Sequence, residues 1–487
     1  MKLCMINHSF RYELEKLIRI FLPFEKIEFS EIKETADNTA VTFLSDTAKA
    51  KLFIFGKEFS KELSIEETDD YDKECELKLA TALFECFVEA FGYIPSWGIL
   101  TGVRPAKLYS RLSKTMGESA DDYFKNILKV SDKKLSLCKE TFEGEEKITG
   151  LSKGDSFSLY ISIPFCPTRC SYCSFVSHSV AQAKKLIPQY IEFLCAELIE
   201  TAKIAKELAL RLETIYIGGG TPTSLEASDI EKIMKTVADN FNLANLREYT
   251  VEAGRPDTIT KEKLKVIKEY GATRISINPQ TMNDKVLEGI GRKHTAEDTV
   301  KAFLLARSQG FDNINMDLIA GLPDDTFESF KETISKILNL NPESVTVHSL
   351  SMKRSSNLSK DGIIPETEMG KTASMMVDFA REELSKNGIV PYYMYRQSKT
   401  VGNLENVGYS KKGFECLYNV YIMDETHSIL ACGASAVTKL REPGGSFIDR
   451  IFNFKYPYEY INRFDELMAR KEGIKQFYSL YKKIIRR

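Results

Sequence analysis

The feature that most restricts the fold is a regular alternation of strand-like and helix-like segments between residues 157 and 350. Short runs rich in β-branched and aromatic residues recur at SLYISI (158–163), TIYIG (214–218), EYTVEA (248–253), RISIN (274–278), NINMDLI (313–319) and SVTVHSL (344–350). Amphipathic stretches such as 187–208, 228–241 and 261–270 separate them, with Ser228 and Thr260 where helix caps are expected. Six βα units in succession require a parallel sheet, as an open doubly wound sheet or as a full or partial barrel. Spacing alone does not separate these forms. In all of them ligands gather at the carboxyl ends of the strands.

The flanks read differently. Residues 1–150 have the pattern of a small N-terminal α/β accessory domain, with a strand at 3–7, a helix at 13–22, a hairpin from 40–45 and 51–56, and an amphipathic helix at 71–92. The polar, glycine-containing stretch 140–156 suits a linker. The barrel series occupies 157–350. Residues 351–487 form an α+β C-terminal region, with a helix near 371–387 and strands near 392–396, 418–423 and 428–432.

Charge narrows the function classes. The 67 basic and 69 acidic residues of this 487-residue chain leave a formal charge of −2, so no global field draws it to nucleic acid. No run approaches the roughly 20 apolar residues needed to cross a bilayer. Arg11, Glu13, Glu15 and Lys16 break up the N-terminal apolar residues, so that segment does not read as a secretory signal. Ten cysteines are too dilute for a disulfide scaffold, and the expected setting is the reducing cytoplasm. In that setting clustered thiols point to metal or catalysis.

Three thiols are clustered. The segment IPFCPTRCSYCSF, directly after the first strand of the series, places Cys166, Cys170 and Cys173 in a C-x3-C-x2-C array. Chance would give this spacing only roughly 0.004 times in such a chain. Thiolates are soft ligands for zinc or iron–sulfur clusters. A Cys3His zinc site would recruit His178. The other reading is a [4Fe–4S] cube with three irons held by protein and a fourth left open for a ligand, since Cys4 ligation is the norm for electron-transfer clusters. The remaining seven cysteines are isolated and expected to be buried small hydrophobes. His348, on a strand, reads as a core residue.

The cysteine loop together with Gly218-Gly219-Gly220-Thr221-Pro222 at the end of the second strand resembles the radical S-adenosylmethionine (SAM) superfamily. That resemblance implies a partial (β/α)6 TIM-like barrel, with SAM chelating the open iron and being cleaved to a 5′-deoxyadenosyl radical. Polar residues at further strand ends, Glu252, Gln280, Arg292 and Asp317, match the pattern of the coproporphyrinogen dehydrogenase (HemN-like) branch. Carried over from that branch, contacts to two SAM molecules fall on Tyr160, Tyr172, Gly219, Gly220, Thr221, Glu252, Gln280, Arg292 and Asp317. The segment CGASAV (432–437) resembles one near the branch's first SAM.

GVRPAKLY (102–109), VEAGRPDTIT (251–260), SMKRSS (351–356) and YRQ…GNLENVGY (395–409) resemble the HemZ type of this branch. It implies oxidative decarboxylation of two coproporphyrinogen III propionates to vinyls, with a donor such as flavodoxin or ferredoxin supplying electrons. A tetracarboxylate substrate calls for cationic partners, and Arg292, Lys293, Lys353, Arg354 and Arg396 are the candidates. Two departures matter. Ser174-Phe175 follow Cys173 where the best-known dehydrogenases place a further cysteine two residues on, as in the haem-chaperone (HemW) relatives. The haem-binding HNxxYW motif of those relatives is also missing, and the comparable stretch begins at Tyr418.

Overall fold

The computed structural model describes residues 1–32, 35–175, 177–351 and 366–481. Two compact units emerge, one from Met1–Lys139 with Arg396–Leu404, the other from Glu140–Tyr395 with Glu405–Arg487.

The first unit holds a five-stranded sheet of β1 (Lys2–Ile6), β2 (Glu28–Ser30), β3 (Thr39–Leu44), β4 (Thr47–Ile54) and β5 (Lys57–Ser64), in the order β2-β1-β3-β4-β5. The helices Arg11–Phe21 and Tyr71–Phe91 share an aromatic seam in which Phe21 stacks on Phe87 at 5.0 Å.

The second unit is built on an eleven-stranded sheet. Its centre is six parallel strands in spatial sequence, β6 (Ser156–Ile163), β9 (Arg211–Gly219), β10 (Glu248–Glu252), β11 (Arg274–Ser276), β12 (Ile314–Ala320) and β13 (Ser344–Ser349). Two short strands, β7 (Phe165–Cys166) and β8 (His178–Ser179), pair separately in parallel. β14 (Val390–Arg396) and β15 (Glu405–Ser410) extend the sheet beyond β13. β16 (Ser428–Cys432), β17 (Val437–Arg441) and β18 (Ile448–Phe452) extend it beyond β6, β16 running parallel to β6. This is the α/β, partial (β/α)6 barrel implied by the radical SAM resemblance, one of the forms that the strand series left open.

The cross-strand register explains why the alternation was so regular. On one face Leu159 meets Ile215, Ile161 meets Ile217, Val251 meets Ile275, and Met316 meets Val345, each at most 3% exposed. Burying such side chains under the crossover helices is worth about 1.5–3 kcal/mol each. The other face is polar in the same register: Ser158–Thr214, Tyr160–Tyr216, Thr250–Arg274, Glu252–Ser276 and Asp317–Thr346. A structural barrel fills its interior with branched apolar side chains. This one lines it with hydroxyls, carboxylates and phenols, which suits a ligand.

Three local expectations are corrected. The stretch 140–149 is not linker but part of the helix Asp132–Thr149, where Gly144 allows close approach: an added Cβ would lie 3.1 Å from the Tyr392 Cα. Residues 418–423 are not a strand but lie in the helix Leu417–Asp424. Ser228 is not a cap, because its helix begins at Ala227 after Glu226, whereas Thr260 does accept from the Lys263 amide at 3.3 Å. Among the described residues, no helix is long and apolar enough to cross a membrane.

Candidate functional site

The cysteine loop leaves β6 and runs against the glycine-rich end of β9. The Gly220 amide donates to the Ile163 carbonyl at 2.8 Å and the Thr221 amide to that of Phe165 at 2.7 Å. Gly219 takes φ +106, a region that favours glycine. A Cβ on Gly220 would lie 2.6 Å from the Phe165 carbonyl and 3.0 Å from the Cys166 sulfur. Gly220→Ala is therefore expected to cost about 1–3 kcal/mol by overpacking and to lower iron uptake several-fold. Thermal unfolding and iron content after anaerobic reconstitution check this, and wild-type values in both would refute it.

None of the ten cysteines is in a disulfide, and the seven outside the loop are buried. Within the loop, Cys170 is buried while Cys166 and Cys173 are half-buried. Burial pushes the Cys173 thiol up, and the neighbouring Cys170 and Cys166 thiols add to the rise. Among the described residues, no group of three His, Cys, Asp or Glu side chains is already placed around one metal position. The donor set fits an iron–sulfur cluster: three soft sulfur donors in one short loop, with a neutral donor on one and a cationic donor on another. The Thr221 hydroxyl donates to the Cys166 sulfur at 3.5 Å, and the Arg255 guanidinium reaches the Cys170 sulfur at 3.7 Å.

Arg292 pins the loop at Tyr172. It is buried, and it donates to the Tyr172 hydroxyl at 2.8 and 3.2 Å and to the Gly254 carbonyl at 2.9 Å. Tyr172, Arg292, Gly220 and Thr221 are thus brought together with the three thiols. As a substrate fork Arg292 is poorly placed, since its donors are already engaged.

A second group lies on the polar face. Tyr160 stacks on Tyr216 at 6.3 Å and Tyr216 on Tyr418 at 4.5 Å, while the Tyr216 hydroxyl donates to Glu252 at 2.6 Å. Burial pushes the Glu252 carboxyl up to about 7. Asp317 goes the other way. Burial works to raise it, but His348 and bonds from Asn315 and Thr346 outweigh that and hold it below the usual carboxylate range. His348 is therefore not a plain core residue: it is half-buried, with Nε2 3.8 Å from the Asp317 carboxylate. Gln280 is buried at φ +71, its amide donating to the Asp317 carbonyl at 2.9 Å. A strained non-glycine backbone at a strand end is a mark of functional sites.

The remaining cationic candidates separate. Lys293 is exposed. Arg396 belongs to the first unit, is 4% exposed, and donates to the Leu100, Gly102 and Asn403 carbonyls, which makes it a structural tie rather than a substrate fork. Lys353 and Arg354 lie outside the described residues. Residue reading missed Arg255. It was visible only as part of VEAGRPDTIT, and its partner at Cys170 is 85 residues away.

Residues 160–337 match the family model described as the Radical SAM superfamily. The chain is 39% identical over 385 residues to the "Oxygen-independent coproporphyrinogen-III oxidase-like protein HemZ" of Bacillus subtilis, covering 78% of this chain and 77% of the relative. It is 33% identical over 311 residues to the "Heme chaperone HemW" of the same organism, covering 62% and 77%. In fold it is similar to the coproporphyrinogen III oxidase HemN from Escherichia coli, with a TM-score of 0.51 and 22% identity over 66% of this chain and 72% of that one. Sequence, motif and architecture agree: the chain belongs to the radical SAM superfamily, in its HemN-like branch.

Proposed function

We propose that this chain is an oxygen-independent coproporphyrinogen dehydrogenase that converts two propionates of coproporphyrinogen III to vinyls. The observation that carries the reading is the extent of the HemZ likeness, 385 aligned residues against the 160–337 of the superfamily model. Superfamily membership implies a [4Fe–4S] cluster and SAM, which together supply hydrogen-atom abstraction when bound. In this reading Cys166, Cys170 and Cys173 hold the cluster. Tyr160, Tyr172, Gly219, Gly220, Thr221, Glu252, Gln280, Arg292 and Asp317 line the space for two SAM molecules.

The chain's own groups have distinct tasks. Arg292 and Tyr172 fix the loop, so the thiols keep one arrangement. Glu252, about half protonated at neutral pH because burial raises it, becomes a full carboxylate when an ammonium group is seated against it. Asp317, held ionised, accepts hydroxyls. Environments that push two carboxylates apart in pKa mark separate roles. A one-electron carrier such as flavodoxin or ferredoxin would serve as donor, and the setting would be cytoplasmic.

The test is anaerobic reconstitution of the full chain with iron, sulfide, SAM, a reductant and coproporphyrinogen III, with products followed by mass. Loss of two carboxyl groups per macrocycle, abolished in Cys170→Ala, is expected. Stoichiometric haem binding without decarboxylation would favour a carrier instead, the reading that the HemW likeness supports. Bound zinc with no cluster would sink both.

A further inference from the structure

We propose that Arg255 sets the reduction potential of the cluster by donating a charged hydrogen bond to the Cys170 thiolate. The inference rests on the cysteine assignment proposed above but not on the choice of substrate.

Arg255 follows the end of β10 and is 3% exposed. Two of its nitrogens fork the Asp257 carboxylate, Nε at 2.9 Å and Nη2 at 3.0 Å. This bidentate clamp fixes the plane of the guanidinium. The third nitrogen, Nη1, is thereby aimed into the cysteine loop. It lies 3.1 Å from the Thr168 hydroxyl, 3.5 Å from the Thr168 carbonyl and 3.7 Å from the Cys170 sulfur. A permanently charged donor thus meets one thiol of the three, whereas Cys166 receives only the neutral Thr221 hydroxyl.

The consequence is electrostatic. Reducing the cluster by one electron from an external one-electron donor adds a negative charge that spreads onto the thiolate sulfurs. A buried cation hydrogen-bonded to one of them stabilises the reduced form more than the oxidised form, which raises the potential. Low dielectric strengthens the effect. His294 does not add to it. Its ring lies 3.9 Å from Asp257, and burial together with the Arg292 charge lowers it to about 4, so it is neutral at working pH. Asp257 offsets part of the Arg255 charge but leaves Nη1 as a donor. A merely structural arginine would hold the loop without moving the potential, and this difference makes the two roles separable.

The experiment is a redox titration, followed by electron paramagnetic resonance, of reconstituted full-length wild type, Arg255→Gln and Arg255→Lys, with iron and sulfide content measured for each. Arg255→Gln is expected to make reduction about tenfold less favourable, or about 59 mV lower for a one-electron couple. Arg255→Lys keeps the charge and loses the fork, and its shift is expected to be smaller in the same direction. A fully loaded Arg255→Gln whose equilibrium stays within about twofold of wild type overturns the proposal. If neither variant loads a cluster, wild type carrying 15N-guanidino arginine decides by electron–nuclear double resonance. A nitrogen coupling on the reduced cluster supports the contact, and none overturns it. A Cys170→Ala protein with wild-type iron content overturns the ligand assignment and this proposal with it.

Discussion

Replacing Lys471 by methionine is expected to destabilise the second unit by about 3–5 kcal/mol, the loss that follows when one partner of a buried ion pair is removed. The Lys471 ammonium lies 2.7 Å from the Glu197 carboxylate, with side chains 1% and 0% exposed. Glu197 also accepts from the Gly433 amide at 2.7 Å, the Asn453 amide group at 2.8 Å and the Tyr460 hydroxyl at 2.7 Å. Without Lys471 that carboxylate would keep its neutral donors but lose its counter-charge in a dry interior. Urea titration should show a lower midpoint with little change in slope. The double variant Glu197→Gln with Lys471→Met should lose less than the sum of the single changes, because the stranded charge is gone. A Lys471→Met protein within 1 kcal/mol of wild type would remove the pair from the account.

The damage would not stay local. Gly433 and Ala434 begin the turn after β16, and the Tyr190 hydroxyl ties them in by accepting from the Ala434 amide and donating to the Ser162 carbonyl. Gly433 has φ +96, and a Cβ there would lie 2.5 Å from the Ser162 carbonyl. Ser162 is four residues before Cys166 on the strand that feeds the cysteine loop. The buried pair therefore braces the end of β6 as well as the C-terminal helix Phe464–Leu480 that carries Lys471.

What could be read from the chain follows from where each signal is stored. The six central strands were legible because their outer faces alternate Leu159, Ile161 and Ile163 against Ser158, Tyr160 and Ser162, a period-2 signal held within one segment. The thiol loop and the glycine turn were legible because their chemistry is unusual for structure alone. The helix Leu417–Asp424 was not legible, since YNVYIM reads as strand by composition. Its start is set by Glu248, whose carboxylate accepts from the amides of Leu417 and Tyr418 at 2.7 and 3.3 Å across 169 and 170 residues. Tyr418 on that helix completes the phenol stack against Glu252. The pairing of His348 with Asp317 was hidden in the same way: two adjacent strands supply one side chain each, and neither sequence segment records the other.

Acid should destabilise the protein more steeply than its carboxylates alone require, and His427 should be the cause. Its ring is 6% exposed, with Nδ1 2.8 Å from the Ser152 hydroxyl and Nε2 2.8 Å from that of Ser158. The Tyr421 ring covers it at 4.2 Å. Burial, with the charges of Arg441 and Arg211, lowers the imidazole to about 3 from its ordinary 6.5. The sign follows from proton counting. Between pH 6.5 and 3 the unfolded chain binds a proton at this histidine that the folded chain refuses, so stability is full above 6.5 and is lost as pH falls. At 1.36 kcal/mol per pH unit the complete loss is about 5 kcal/mol. Glu252 has the opposite slope, being raised to about 7, and His294, lowered to about 4, has the same slope as His427. Both are present in wild type and in His427→Gln, so they cancel in the difference. Urea midpoints measured from pH 7 to 4.5 should diverge, with the variant losing about 1.4 kcal/mol less per pH unit. Parallel curves would show that His427 binds its proton equally well in the folded and unfolded chain and would refute the lowered value.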